Sequence, residues 1–310
     1  MARSISDSPI ERLPDRLVRM FRQKTGSVVC ASCGSLVGVN DDKCYSCGRR
    51  NPGLWGFGPV LRRFGNDFGF TTVIIYGCAA LYTLSLILTV ISGGNVMSGS
   101  FFTMLGPNRF AAVALGESGA IPVFAAGRWW TVLSAGWLHG GALHILFNLM
   151  GVRQLGPAVD DLYGGARMII IYTISSATGF LLSSFLGAYL SIPFFSGGSF
   201  TLGASAPIFG LLGALVHYGR RGGSSLVGSQ AMSYALSMGV FGLIMPGIDN
   251  AAHLGGFLGG WLAAKWLDPL KPERMDHFIG AAVCLVATLV SIIVSLVMTL
   301  PELKYFLANR

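Results

Sequence analysis

Charged residues are scarce in this chain: Asp, Glu, Lys and Arg make up only 12% of its 310 residues. Soluble domains carry about 25% charged residues, so this composition excludes an ordinary soluble protein. Hydrophobic residues instead reach 52% of the sequence. The composition therefore predicts an all-α polytopic membrane protein, since helices satisfy their own backbone hydrogen bonds in lipid.

Other features are missing as well. The chain has no HExxH pair, and His139 and His144 have neither the spacing nor the carboxylate that an intramembrane metalloprotease needs. We find no convincing internal repeat, and five of the seven apolar runs carry no ionisable residue through their middle, which disfavours a transporter. The start of the chain is polar for some 70 residues, so we expect no signal peptide.

Seven apolar runs are long enough to cross a bilayer, which takes about 20 residues each. We place these runs near residues 73–92, 131–152, 167–190, 203–219, 226–246, 251–267 and 277–300.

The basic residues predict an orientation for these runs. With the N-terminus in the cytosol, 18 of the 22 Lys and Arg residues fall on the cytosolic side, and 11 of them precede the first run in 1–72. Positive charge gathers on the cytoplasmic side of membrane proteins, so we expect N-in, C-out topology. The net charge of +8 is explained in this way without a nucleic acid partner.

Two CxxC pairs, each followed by glycine, precede the first run, and their members are Cys30, Cys33, Cys44 and Cys47. Four thiolates predict a closed, structural zinc site with no open position for catalysis. Two disulfides are the alternative, but the predicted cytosolic location argues against them. The cysteine module could serve docking to a cytosolic partner, regulation or stability, and the sequence leaves these open.

The expected organisation has five parts. A basic segment (1–29), a zinc-ribbon-like module (30–50), a linker (51–72), a six-helix core (73–267) and a seventh transmembrane helix (277–300) follow one another.

A polar cluster falls within the apolar runs, where polar groups are costly and usually functional. Ser205 opens the fourth run and His253 the sixth, both from the outer side. His144 and Asn148 are spaced i,i+4 and share one helix face in the second run. Serine, histidine and a side-chain amide can act as nucleophile, base and oxyanion donor in acyl transfer. Counting along 131–152 places His144 and Asn148 deeper than Ser205.

Glycine and alanine ridges favour a meeting of the fourth and sixth runs. One ridge is formed by Ala206, Gly210 and Ala214, and the other includes Gly256 and Gly260. Small residues let helix backbones approach closely, as a short Ser–His contact requires.

Three separated motifs resemble those of the rhomboid intramembrane serine proteases, in the order that the family has them. They read H-G-G-x-x-H-x-x-x-N from His139 to Asn148, G-x-S from Gly203 to Ser205, and A-H-x-x-G-x-x-x-G from Ala252 to Gly260. The resemblance covers roughly residues 70–267. The run at 277–300 resembles the seventh helix of the "six plus one" variety of that family.

The resemblance implies a serine endopeptidase that cuts transmembrane segments of membrane proteins near the outer face. Ser205 would be the nucleophile and His253 the base, without an acid member or a catalytic cofactor. Asn148, His144 and the Ser205 N–H would form the oxyanion hole. His139, Gly203 and Phe209 would support these groups.

The chain departs from the family pattern at three positions. Ala206 replaces the usual glycine after the serine, and Phe209 replaces a tyrosine that stacks on the histidine. The usual Trp-Arg pair of the first outer loop reads Trp130-Thr131. An inactive relative that binds client helices without cutting is the main alternative. We expect a multi-pass protein of a prokaryotic cell membrane, with lipid and transmembrane proteins as its partners.

Overall fold

The computed structural model describes residues 22–61, 69–97, 104–190, 192–193, 195–245 and 247–308. Most of the basic segment predicted at 1–29 and part of the linker predicted at 51–72 therefore lie outside the described residues. The described chain forms two compact units.

The larger unit is built from long helices, which confirms the predicted all-α polytopic membrane fold. Among the described residues, four helices are long and apolar enough to cross a membrane: Phe70–Ile91, Gly165–Tyr189, Ser225–Ile244 and Met275–Met298. Two further helices, Ser205–Arg220 and Asn250–Trp266, are shorter, with 16 and 17 residues. The helix bounds are α1 (Phe70–Ile91), α2 (Ala142–Tyr163), α3 (Gly165–Tyr189), α4 (Ser205–Arg220), α5 (Ser225–Ile244), α6 (Asn250–Trp266) and α7 (Met275–Met298).

The second helix does not occupy the predicted run 131–152. Thr131–Ser134 forms a single α-helical turn, Ala135–Trp137 continues as a 3-10 turn, and α2 begins only at Ala142. The break falls at Gly141, whose backbone is fully extended (φ 170°, ψ 167°). Hydropathy alone cannot register such a break, because the residues on both sides of it are apolar.

Short elements complete the long connection between α1 and α2. A two-turn helix at Arg109–Leu115 is capped by Asn108, and a π-helical turn covers Ile121–Ala125. Ser118 then pairs with Thr201 through backbone hydrogen bonds of 3.0 and 2.8 Å. The described part of this connection is therefore tied to the segment that leads into α4.

Helices α4 and α6 pack backbone against backbone. A Cβ added to Gly256 would lie 2.1 Å from the carbonyl oxygen of Ala206, and one added to Gly260 would lie 2.1 Å from that of Gly210. Both distances are far below van der Waals contact, so neither site can accept a side chain without moving a helix. The predicted meeting of the two glycine ridges is present in the structure.

Gly260→Ala is expected to destabilise the protein, because the new methyl group would displace the α4 backbone. Overpacking of this kind costs about 1–3 kcal/mol of unfolding free energy. Gly239→Ala on α5 is the matched control, since nothing lies within 4 Å of its added Cβ. Thermal unfolding in detergent measures both variants, and equal midpoints would refute the close-packing argument.

The smaller unit contains the four N-terminal cysteines. Strands β1 (Ser27–Val29) and β2 (Leu36–Gly38) form an antiparallel hairpin in which Val28 lies opposite Val37. The segment Lys271–Asp276, which follows α6 and includes the first two residues of α7, belongs to this unit. The Ser32 hydroxyl donates a 2.8 Å hydrogen bond to the Glu273 carbonyl there.

Candidate active site and metal centre

Ser205 is the first residue of α4, and a special backbone conformation precedes it. Gly203 has φ +134°, which favours glycine, and its N–H donates a 2.9 Å hydrogen bond to the Ala135 carbonyl. A Cβ added to Gly203 would lie 2.7 Å from Nε2 of His144 and 3.6 Å from Oγ of Ser205. The missing side chain of Gly203 thus leaves a small space flanked by His144 and Ser205.

His144 lies in the first turn of α2 and presents one ring nitrogen to this space. The Gly140 N–H donates to Nδ1 of His144 at 3.3 Å, which makes Nδ1 an acceptor. A neutral imidazole then carries its proton on Nε2. Nε2–H of His144 is therefore available as a donor beside Ser205.

His253 lies in the first turn of α6, and its ring stacks on Phe209 of α4. The ring centroids are 4.1 Å apart and the planes are inclined by 11°. Phe209 is four residues after Ser205 and shares its helix face, so the stack brings His253 to the Ser205 side of α4. Among the described residues, Nδ1 of His253 has no hydrogen-bond partner, and no hydrogen bond joins Ser205 to His253.

Asp249 caps the start of α6, and it is not among the site residues predicted from the sequence. Its carboxylate accepts a 2.9 Å hydrogen bond from the Ala252 N–H and another from the Ser183 hydroxyl of α3. An acidic residue immediately before an apolar helix is a recognised N-cap signal, so the sequence could have pointed to it. The cap fixes the turn that carries His253.

Asn148 and His139 surround His144. Asn148 is buried, and its Nδ2 donates a 2.8 Å hydrogen bond to the His144 carbonyl, which leaves its second amide hydrogen unassigned. The His139 ring packs edge-on against the His144 ring, with centroids 5.3 Å apart. His139 is 1% exposed.

The methyl group of Ala206 fits because α3 provides room for it. A Cβ on Gly179 would lie 2.9 Å from the Ala206 methyl, and Gly179 has none. Ala206 is fully buried in a cluster with Ala135, Phe180 and Ala252. The departure at Ala206 is thus matched by a glycine on the neighbouring helix.

The fold and the site define a class of protein: a polytopic membrane protein with a serine and a histidine at the first turns of two closely packed helices. Residues 126–270 match the family described as Rhomboid domain. YdcA of Bacillus subtilis, whose name places it with the rhomboid proteins, is 30% identical over 154 residues, 48% of this chain and 72% of that relative. The chain belongs to the rhomboid family.

Two further relatives are also similar to this chain. Rhomboid protease GluP of Bacillus subtilis is 31% identical over 211 residues, 67% of this chain and 37% of GluP. RHOMBOID-like protein 4 of Arabidopsis thaliana is 30% identical over 168 residues, 51% of this chain and 39% of that protein. The chain thus spans less than half the length of either relative.

The four N-terminal cysteines come together in the smaller unit. Their sulfur atoms all lie within 4.8 Å of one another, and the group could hold a metal ion. The Sγ atoms of Cys30 and Cys47 are 3.8 Å apart, and those of Cys33 and Cys44 are 3.6 Å apart. A disulfide needs about 2.05 Å, so the four cysteines are free thiols in this structure.

Two glycines shape the turns that carry these thiols. Gly34 and Gly48 have φ +74° and +72°, and their N–H groups bond back to the Cys30 and Cys44 carbonyls.

The thiols of this module have shifted pKa values. Burial raises the pKa of Cys47 to about 12. The pKa of Cys33 is lowered to about 6, because hydrogen bonds from Ser35 and the neighbouring thiols outweigh the opposing effect of burial.

Proposed function

We propose that this chain is an intramembrane serine endopeptidase that cleaves transmembrane segments of membrane proteins near the outer face. The observation that carries the proposal is the convergence of Ser205, His253 and His144. The Phe209–His253 stack brings the base to the serine's helix face, and the space at Gly203 adjoins both Ser205 and His144. Membership of the rhomboid family and the similarity to GluP support the same activity.

The reaction follows from these positions. Oγ of Ser205 attacks the peptide carbonyl carbon while a ring nitrogen of His253 accepts the hydroxyl proton. The protonated His253 gives that proton to the leaving amine as the C–N bond breaks, which leaves an acyl group on Ser205. Water then attacks the ester with the same base and releases the acid. A Ser205–His253 hydrogen bond is expected to form in the substrate complex, because such catalytic contacts tighten when substrate binds.

The oxyanion that forms during each attack needs donors that are already in place. Nε2–H of His144 adjoins the space at Gly203, and the Ser205 N–H starts α4 with no earlier helical turn to bond it. The second amide hydrogen of Asn148 is the third donor. His139 supports His144 through the packing of the two rings.

The membrane sets what the substrate must be. The N-in orientation places the starts of α2, α4 and α6 towards the outer face, so water and the scissile bond meet there. A peptide bond must leave its helix before attack, and Gly or Ala near the cut in a single-span substrate should favour cleavage. The cell membrane of a prokaryote is the proposed location.

Reconstitution of the full-length protein in liposomes with a generic single-span reporter tests the proposal. We expect two fragments whose junction, located by mass spectrometry, falls in the outer part of the reporter's span. A folded protein that co-purifies with the intact reporter and never cuts it would instead identify an inactive rhomboid relative that binds client helices.

The cysteine module is proposed to bind one structural zinc ion through Cys30, Cys33, Cys44 and Cys47. A tetrahedron with Zn–S bonds of about 2.3 Å has S–S edges of about 3.8 Å. The two distances of 3.6 and 3.8 Å match those edges. Four thiolates leave no position for a substrate, so the metal would stabilise the module and take no part in cleavage.

Metal analysis checks this site directly. The purified protein is expected to contain one zinc per chain, and Cys44→Ser is expected to lose most of it, because three ligands bind zinc far more weakly than four. Cys284→Ser, in α7, is the control and should keep its zinc. A zinc-free protein whose four thiols react freely under reducing conditions would refute the assignment.

A further inference from the structure

Helix α7 lies outside the residues that match the rhomboid family, yet its buried face is polar. Its hydroxyl groups recur every three or four residues at Thr288, Ser291 and Ser295, and Thr299 follows directly after the helix. None of these four residues is more than 5% exposed. A hydroxyl in a transmembrane helix usually bonds only its own backbone. Ser291 and Ser295 depart from that pattern, because both contact another part of the chain.

Ser291 and Ser295 bind Trp130, at the end of the long connection between α1 and α2. The Ser291 hydroxyl donates a 2.8 Å hydrogen bond to the Trp130 carbonyl, and the Trp130 indole N–H donates one of 3.0 Å to Oγ of Ser295. Oγ of Ser291 also lies 3.0 Å from Oγ of Ser134, which in turn donates to the Gly116 carbonyl at 2.8 Å.

The same group of contacts leads to the candidate active site. Ala135 follows Ser134 in the chain, and its carbonyl accepts the Gly203 N–H beside His144 and Ser205. Ser134, which contacts α7, is thus the direct neighbour of Ala135, whose carbonyl holds Gly203.

A second set of contacts links Trp130 to the segment before Gly203, through the long connection between α1 and α2. The Thr131 hydroxyl, next to Trp130, bonds Oγ of Ser118 at 3.3 Å. Ser118 forms the paired backbone hydrogen bonds with Thr201, two residues before Gly203. The rhomboid pattern usually has arginine at this position. In this chain the position is Thr131, and its hydroxyl contacts Ser118.

The junction where these contacts meet has no spare room. Gly116 has φ +98°, and a Cβ added there would lie 2.2 Å from Oγ of Ser134 and 3.0 Å from Oγ of Ser295. Helix α7, Gly116 of the connection between α1 and α2, and the turn that contains Ser134 therefore touch at one place. A shift of α7 would be passed to the others, because interiors packed this densely transmit strain.

We infer that Ser291 and Ser295 of α7 are positioning residues, which hold the 201–203 backbone in register for catalysis through Trp130 and Ser134. The inference rests on the proposed protease function. It assigns α7 a part in the reaction, although none of its residues reaches the reacting atoms.

The test compares Ser291→Ala/Ser295→Ala with wild-type protein in detergent and in liposomes. Hydrogen–deuterium exchange of the 198–203 segment reads the backbone directly and needs no activity. Cleavage of the single-span reporter gives kcat and KM separately. Thr288→Val is the matched control, since the Thr288 hydroxyl is equally buried and has no hydrogen-bond partner among the described residues. Trp130→Phe removes the indole donor from the other side of the contact.

The double variant is expected to exchange the 198–203 amides faster and to lose about tenfold in kcat with KM little changed, because misplaced catalytic groups slow the chemical step. Trp130→Phe should show a smaller change of the same kind, and Thr288→Val none. Unchanged exchange in folded double variant, or faster exchange with unchanged kcat, would overturn the inference. A wild type that never cleaves would refute the protease function, and the exchange result would still decide whether α7 holds the 201–203 backbone.

Discussion

Ser205→Ala is expected to abolish cleavage of a transmembrane reporter, with a loss on the order of 10⁴- to 10⁶-fold, as in other serine hydrolases that lose a catalytic group. No other group can form the acyl intermediate once Oγ is gone. The fold should not change, because Ala206 and the glycines of the α4–α6 contact are kept. Rates of reporter cleavage in liposomes, with thermal unfolding in parallel, measure both effects.

His253→Ala should give a loss of the same order, since Ser205 then has no base. Single losses in a group of residues that acts as a unit are not additive, so Ser205→Ala/His253→Ala should be no slower than Ser205→Ala. Ser184→Ala and His217→Ala are the controls. Ser184 and His217 are buried in α3 and α4, and neither belongs to the proposed site. Persistent cleavage by the Ser205→Ala protein would refute the proposal that Ser205 is the nucleophile.

The second large effect is expected at the oxyanion donors. His144→Ala should lower kcat by about 10²- to 10³-fold, the usual cost of one lost donor. KM should change little, because the donor acts on the charge that develops in the transition state. The measurement is a kcat and KM determination on the reporter.

Asn148→Asp tests the second side-chain donor. The substitution keeps the shape of the side chain and replaces its N–H donor with an oxygen. We expect a fall in kcat at least as large as that of Asn148→Ala. Unchanged kcat in both His144→Ala and Asn148→Asp would refute the assigned oxyanion donors and leave the Ser205 assignment untouched.

The positions of Ser205 and His253 near helix starts could be predicted from the sequence, because both residues lie in clear motifs at the beginning of apolar runs. The runs that contain Ser205 and His253 begin close to the observed starts of α4 and α6. The glycine ridges indicated that these two helices meet. The roles of Ser205 and His253 remain proposals that the variants above address.

The depth of His144 and Asn148 could not be predicted from hydropathy, which treats 131–152 as one continuous run; only the resemblance to the rhomboid family implied that the second helix reaches the outer side. The structure begins α2 at Ala142, so both residues lie in its first two turns. The apparent mismatch with Ser205 therefore came from a wrong helix boundary.

Contacts between distant elements were also beyond the sequence. Gly179 accommodates the Ala206 methyl, but this depends on knowing that α3 packs against α4. The hydroxyls of α7 have helical spacing, yet spacing does not identify Trp130 and Ser134 as their partners. Pairings of this kind are set by tertiary packing, which one sequence does not record.

The central claim is that Ser205 is an activated nucleophile served by His253. The most direct test is in-gel labelling of the detergent-purified protein with a fluorescent fluorophosphonate, with wild type, Ser205→Ala and His253→Ala compared side by side. The account predicts labelling of the wild type alone. A folded wild type that takes no label and leaves a transmembrane reporter intact in liposomes would contradict it.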